Sequence, residues 1–201
     1  MPSVSDRDVA EPNDSELAVG WTSPRPDRVG PPVLVVMGVS GAGKTTIANS
    51  LAMRLGWPFQ EGDALHPEAN VAKMHAGIAL TDADRQPWLQ AVAAWIDGQR
   101  AKHQPGIVTC SALRRAYRQQ LMGGRPEVRL IYLRGTRALL DERLATRHGH
   151  FMPESLLASQ LDTLEEPVPD EDPLTIDIGP PAERIVGEII SRLDASPSRR
   201  P

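Results

Sequence analysis

The chain has 201 residues, 40% of them hydrophobic, enough for one well-buried core with a small appendage and too little for two full domains. A formal net charge of -4 speaks against a broad nucleic-acid-binding surface, and a single cysteine, Cys110, excludes an internal disulfide, which suits a reducing cytoplasm. No apolar run reaches the roughly 20 residues that cross a bilayer, and the N-terminus lacks a hydrophobic stretch of signal-peptide type. The expected location is cytoplasmic, with neither membrane nor nucleic acid as a partner.

Residues 1–32 are rich in Pro, Asp, Ser and Arg and poor in large apolar side chains, so they read as a disordered leader. Asp6, Asp8, Glu11, Asp14 and Glu16 contradict the acidic-poor composition of a transit peptide. Residues 33–195 form the expected single domain, and residues 196–201 a loose tail.

Val33-Leu34-Val35-Val36-Met37 has the uninterrupted apolar character of a buried parallel strand. It runs directly into Gly38-Val39-Ser40-Gly41-Ala42-Gly43-Lys44-Thr45, which fits the phosphate-binding pattern G-x-x-x-x-G-K-[ST]. The glycines let backbone N–H groups surround phosphates, Lys44 brings a charge to the outer ones, and Thr45 offers a hydroxyl to Mg²⁺. Ile47, Leu51 and Leu55, with Ala48 and Ala52, continue at helical spacing, so the loop opens a helix whose positive end favours an anion.

A brief strand is expected around residues 58–61, restricted by Pro58. Glu61-Gly62-Asp63-Ala64-Leu65-His66-Pro67 follows. Glu61 and Asp63 at this strand end are expected to point to opposite sides of it, one toward a metal shell and the other toward an acceptor hydroxyl needing a carboxylate partner. Asp63 is assigned to the hydroxyl and Glu61 to the metal; the rival for Asp63 is simple helix capping.

Leu80-Thr81-Asp82-Ala83-Asp84-Arg85-Gln86-Pro87-Trp88 precedes a helix expected from Pro87 to about Lys102, with Leu89, Val92 and Ile96 on its core stripe and Trp88 and Trp95 beside them as core. Thr81 or an Asp caps it. Arg85, a cation at a positive helix end, needs an anion: either Asp82 or Asp84, or a substrate carboxylate.

A third strand at residues 107–109 ends in Cys110-Ser111-Ala112-Leu113-Arg114-Arg115, where small residues leave room for a ligand and Ser111 offers a hydrogen bond. Cys110 reads as an inert buried thiol. Arg114, Arg115 and Arg118 read equally as a basic patch or a solvated helix face.

After a strand at residues 128–133, Arg143 and Arg147 lie at i, i+4 on a helix that Gly149 stops, suited to closing over a transferring phosphoryl group. His148 and His150 lack partners for a metal site. The acidic, proline-broken residues 165–172 read as the exposed return of this flap. A last strand at residues 174–178 and a helix bearing Ile185, Val186, Ile189, Ile190 and Leu193 complete the βα alternation. The implied fold is α/β in three layers, a five-stranded parallel sheet flanked by helices, with the site beyond the carboxyl ends of the strands.

These elements together resemble the small gluconate kinases of the P-loop type, similar in fold to shikimate kinase and the nucleoside monophosphate kinases. The resemblance rests on the phosphate loop, Glu61-Gly62-Asp63 with His66-Pro67, Asn70 with Lys73-Met74, and Asp84-Arg85 with Pro87-Trp88-Leu89. It extends through Cys110-Ser111-Ala112-Leu113, Tyr117-Arg118, Arg147-x-Gly149-His150-Phe151-Met152 and Ser159-Gln160-x-x-x-Leu164-Glu165-x-Pro167. Glu61 stands where members commonly carry Asp.

The resemblance implies Mg²⁺- and ATP-dependent phosphorylation of D-gluconate at its 6-hydroxyl, a mobile lid at about residues 143–170, and frequently a homodimer. It implies ATP contacts from Gly38, Val39, Ser40, Gly41, Ala42, Gly43, Lys44, Thr45, Thr46 and Arg143, with Lys44, Asp63 and Arg147 catalytic. Asp63, His66, Lys73, Arg85, Ser111 and Gln160 are the implied gluconate contacts, Thr45 and Glu61 the metal shell. Adenine is expected near Gly179-Pro180-Pro181. The alternatives are a kinase for another sugar acid or a shikimate-like metabolite, and a nucleotide-dependent switch, although the Asn-Lys-x-Asp guanine motif of GTPases is absent.

Overall fold

The computed structural model describes residues 30–146 and 154–195, with side-chain environments from Leu157 onward in the second segment. In chain order these residues form β1 (Val33–Met37), α1 (Lys44–Leu55), β2 (Phe59–Gln60), α2 (Glu68–His75), α3 (Asp82–Ala101) and β3 (Gly106–Thr109). There follow α4 (Arg115–Met122), β4 (Val128–Arg134), α5 (Arg137–Ala145), α6 (Glu154–Thr163), β5 (Leu174–Asp177) and α7 (Ala182–Ala195).

The strands pair in the order β2-β3-β1-β4-β5, and every pairing is parallel. β1 is central, which explains its unbroken apolar run: alternate side chains enter two different cores. Leu34 and Val36 pack with Ile47 and Leu51 of α1 and Ile185 and Ile189 of α7. Val33, Val35 and Met37 pack on the other face with Leu89, Val92 and Ile96 of α3 and Leu121 of α4. Three layers result, as expected.

Two boundaries differ from the sequence reading. β2 is only Phe59–Gln60, although the Pro58 carbonyl still accepts the Ile107 N–H at 2.9 Å; lacking an N–H, Pro58 serves the sheet edge as an acceptor alone. α3 begins at Asp82 rather than Pro87 because Thr81 and Asp84 form a reciprocal capping box, which leaves Pro87 inside the helix. The expected leader and tail fall outside the described residues apart from 30–32, where the Pro32 carbonyl accepts the Gly106 N–H at 3.2 Å. Among the described residues, no helix is long and apolar enough to cross a membrane.

Candidate active site

The phosphate loop leaves β1 and closes on itself before α1 starts. Ala42 N–H bonds the Val39 carbonyl at 3.2 Å, and Lys44 Nζ donates to the same carbonyl at 3.2 Å, which folds the lysine back over the loop. Gly43 caps α1 at φ 86°, in the left-handed region natural to glycine, and has no side chain with which to cap the first-turn N–H groups. An anion is therefore the natural cap. Thr45 and Thr46 stand exposed in that first turn. Arg143, in the last turn of α5, reaches across beside Gly43 and donates to the Ile178 carbonyl at 2.5 Å, next to the segment expected to hold adenine. Gln160 of α6 accepts the Ser40 N–H at 2.7 Å, so this expected gluconate contact meets the phosphate loop.

At the acceptor side the chain does not alternate as a strand beyond Gln60. Residues Gly62–Leu65 form a 3-10 turn; a continued strand would have put Glu61 and Asp63, two residues apart, on the same face, so the expected separation does not come from a strand. The separation arises from Gly62 instead. A Cβ there would lie 1.8 Å from the Thr109 carbonyl oxygen, so glycine alone permits the turn to press against the end of β3. The Thr109 hydroxyl accepts the Gly62 N–H at 2.9 Å and donates to Glu61 Oε1. Glu61 Oε2 is buried with no hydrogen-bond partner, whereas Asp63 is exposed. That orphaned carboxylate oxygen fits a Mg²⁺ shell shared with Thr45, water and phosphate oxygens. Among the described residues no three His, Cys, Asp or Glu side chains group as an all-protein metal site.

His66 follows the turn and stacks on Trp88 at 4.2 Å between ring centroids. Burial lowers its pKa below the ordinary 6.5, opposed by the charge of Asp63 and assisted by that of Arg85. Neutral imidazole is therefore the form present at neutral pH. Asn70 Nδ2 lies 3.4 Å from its Nδ1 and donates to the Asp84 carbonyl at 2.7 Å, joining α2 to α3. Lys73, an expected gluconate contact, is ion-paired with Asp84 at 2.7 Å.

Arg85 stands between the two readings given to it. Its Nη1 is 3.8 Å from Asp82 and 3.4 Å from the Tyr117 hydroxyl, and its guanidinium lies 5.9 Å from the Tyr117 ring centroid. Asp82 is already engaged by Arg114 at 2.6 Å and by the Tyr117 hydroxyl, so its contact with Arg85 is the loose one. Cys110 is buried as expected; burial pushes its thiol up to about 12, and the charges of both Asp63 and Lys44 reach it. Half-buried Ser111 follows Cys110 beyond the end of β3.

Of the two readings of the basic segment, the solvated helix face fails for Arg118, whose side chain is 0% exposed. The acidic return is largely exposed, as expected, and is tied down at three points: Glu171 pairs with Arg118, Glu165 accepts the Arg115 N–H at 2.7 Å, and Asp170 meets Arg115 at 2.5 Å. Arg147, His148, Gly149, His150, Phe151 and Met152 lie outside the described residues.

The AAA domain family matches residues 33–167. A gluconokinase of Gluconobacter oxydans (strain 621H) is 49% identical over 165 residues, covering 82% of this chain and 93% of that protein. The thermoresistant gluconokinase of Escherichia coli (strain K12) is 41% identical over 159 residues, covering 79% and 91%. The crystal structure of a gluconokinase from Sinorhizobium meliloti 1021 superimposes with a TM-score of 0.76 at 43% identity, covering 84% of this chain and 94% of that one. Similarity at this level over nearly the whole of each relative means that the chain belongs to the gluconokinase family of P-loop kinases.

Proposed function

We propose that the chain transfers the γ-phosphoryl group of ATP to the 6-hydroxyl of D-gluconate, giving 6-phospho-D-gluconate and ADP. The observation that carries this reading is a phosphate loop with Lys44 folded over it, together with the turn bearing Asp63 that presses on the end of β3 and is followed by His66, on which the charges of Asp63 and Arg85 both act. The kinship with gluconokinases supports the choice of acceptor.

In this reading Asp63 orients the hydroxyl and takes its proton as the oxygen attacks the γ-phosphorus, while the bond to the bridging oxygen breaks and ADP departs. Loop amides and Lys44 hold the β and γ phosphates, Arg143 and Thr46 add ATP contacts, and Arg147 is the further cation assigned to the transferring phosphoryl group. Thr45 and Glu61 would hold Mg²⁺, which when bound neutralises charge on the phosphates. Arg85 grips the carboxylate, and His66, Lys73 and Ser111 meet hydroxyl groups. Gln160 approaches from the phosphate-loop side.

Coupled ADP-release assays over a panel of sugar acids and shikimate test the reading. Gluconate-dependent release is expected. No turnover on gluconate with clear turnover on another acid, or nucleotide binding with no acceptor-dependent release, overturns it.

A further inference from the structure

Arg118 makes five side-chain hydrogen bonds while fully buried. Its Nε and Nη2 donate to the two oxygens of Glu171 at 2.6 and 2.9 Å. Its Nη1 donates to three carbonyls, those of Ala112 at 3.2 Å, Leu113 at 3.3 Å and Glu165 at 2.8 Å. The Arg118 side chain is 0% exposed and that of Glu171 6%. A buried ion pair of this kind is commonly no more stabilising than a well-packed apolar pair of similar size. An apolar pair, however, cannot hold backbone carbonyls in place.

Those carbonyls belong to two segments distant in sequence. Ala112 and Leu113 follow Ser111 on the acceptor side, and Ala112 has φ 44°, a left-handed conformation that a non-glycine residue holds only when its surroundings enforce it. Glu165 lies just beyond α6, the helix whose Gln160 bonds the phosphate loop. A second connection runs in parallel, since the Glu165 N–H bonds the Leu113 carbonyl at 2.8 Å.

We propose that Arg118 is a positioning residue that clamps the Ser111-bearing loop and the 164–171 return into one unit, setting the acceptor contacts in register with the phosphate loop. This rests on the functional reading above and adds a specificity-determining residue that touches no substrate. The clamp makes gluconate binding, rather than ATP binding, the step that depends on Arg118.

The full chain is tested as wild type, Arg118→Lys, Arg118→Met and the double variant Arg118→Met/Glu171→Met. Arg118→Met raises the gluconate KM about tenfold or more and leaves the ATP KM within about twofold. Arg118→Lys, which keeps the charge and some donors, gives an intermediate gluconate KM. The double variant removes the carboxylate left buried without its guanidinium, at the cost of the bond it accepts from the Val168 N–H at 3.1 Å, and recovers part of the thermal stability while its gluconate KM stays high. A wild-type gluconate KM in the double variant overturns the proposal and leaves the gluconokinase reading standing. Amide exchange without gluconate gives an independent readout: residues 110–114 and 164–171 lose protection together in the double variant. Loss at one segment alone overturns the clamp whatever the acceptor proves to be, whereas joint loss in a chain inactive on gluconate upholds it and overturns only the choice of acceptor.

Discussion

Trp88 donates its indole N–H to the carbonyl of Gly62 at 2.8 Å, while its ring stacks on His66. One side chain on α3 thus fixes both the turn that carries Asp63 and the imidazole beside it. Trp88→Phe keeps an aromatic face but removes the side-chain donor that ties the Gly62 carbonyl to α3, a loss of about 0.5 to 1.5 kcal/mol. We expect lower stability in urea titration together with a reduced kcat, because Asp63 loses its support. Unchanged kcat in a fully folded variant would show that the turn holds its shape without the indole.

Asp63→Asn tests the carboxylate itself. The amide keeps the size of the side chain and removes its capacity to take a proton, so kcat falls on the order of 10²- to 10⁴-fold. Since Asp63 is exposed and makes no part of the phosphate loop, nucleotide affinity measured by calorimetry stays close to wild type. Near-normal turnover would return Asp63 to the role of an ordinary turn residue.

The phosphate loop and β1 were legible because both signals are local: a spaced glycine pattern, and a run of five apolar residues that only a strand buried on both faces needs. Trp88 was legible as core, but its hydrogen bond to Gly62 spans 26 residues and no local pattern reports it. Arg118 was hidden more deeply. Its burial was hinted at by Tyr117 and Leu121, which share the inward face of α4, yet its partner Glu171 lies 53 residues away in a stretch that reads as solvated acid. The start of α3 was misplaced because Pro87 is a strong first-turn signal and the Thr81-Asp84 capping box, present in the same stretch, outweighs it.

Arg85→Ala separates substrate recognition from scaffolding. Asp82 keeps Arg114 and Tyr117 as partners in this variant, so the fold loses little. A charge-assisted hydrogen bond to a substrate carboxylate contributes about 1.5 to 3 kcal/mol, which corresponds to a gluconate KM raised about tenfold to a hundredfold. The signature is a KM effect larger than the kcat effect in steady-state kinetics. A KM within error of wild type, accompanied by a lower melting temperature, would make Arg85 a structural partner of Tyr117.

Asp97, near the C-terminal end of α3, contributes to the acid limb of stability. Asp97 on α3 is held down to about 2 from its ordinary 3.8, chiefly by hydrogen bonds from Arg125 at 2.6 and 2.7 Å, with Arg100 adding a further bond. Because the folded chain binds this proton less readily than the unfolded chain, the contribution of Asp97 is fully present above about pH 4 and is lost as pH falls toward 2. Its side chain is 45% exposed, so solvent screening keeps the effect modest. Urea midpoints measured between pH 2 and 7 should show Asp97→Asn less stable than wild type at neutral pH, with the two curves converging toward pH 2. Parallel curves across that range would mean that the Arg125 contact stabilises the helix end by shape alone, without its charge.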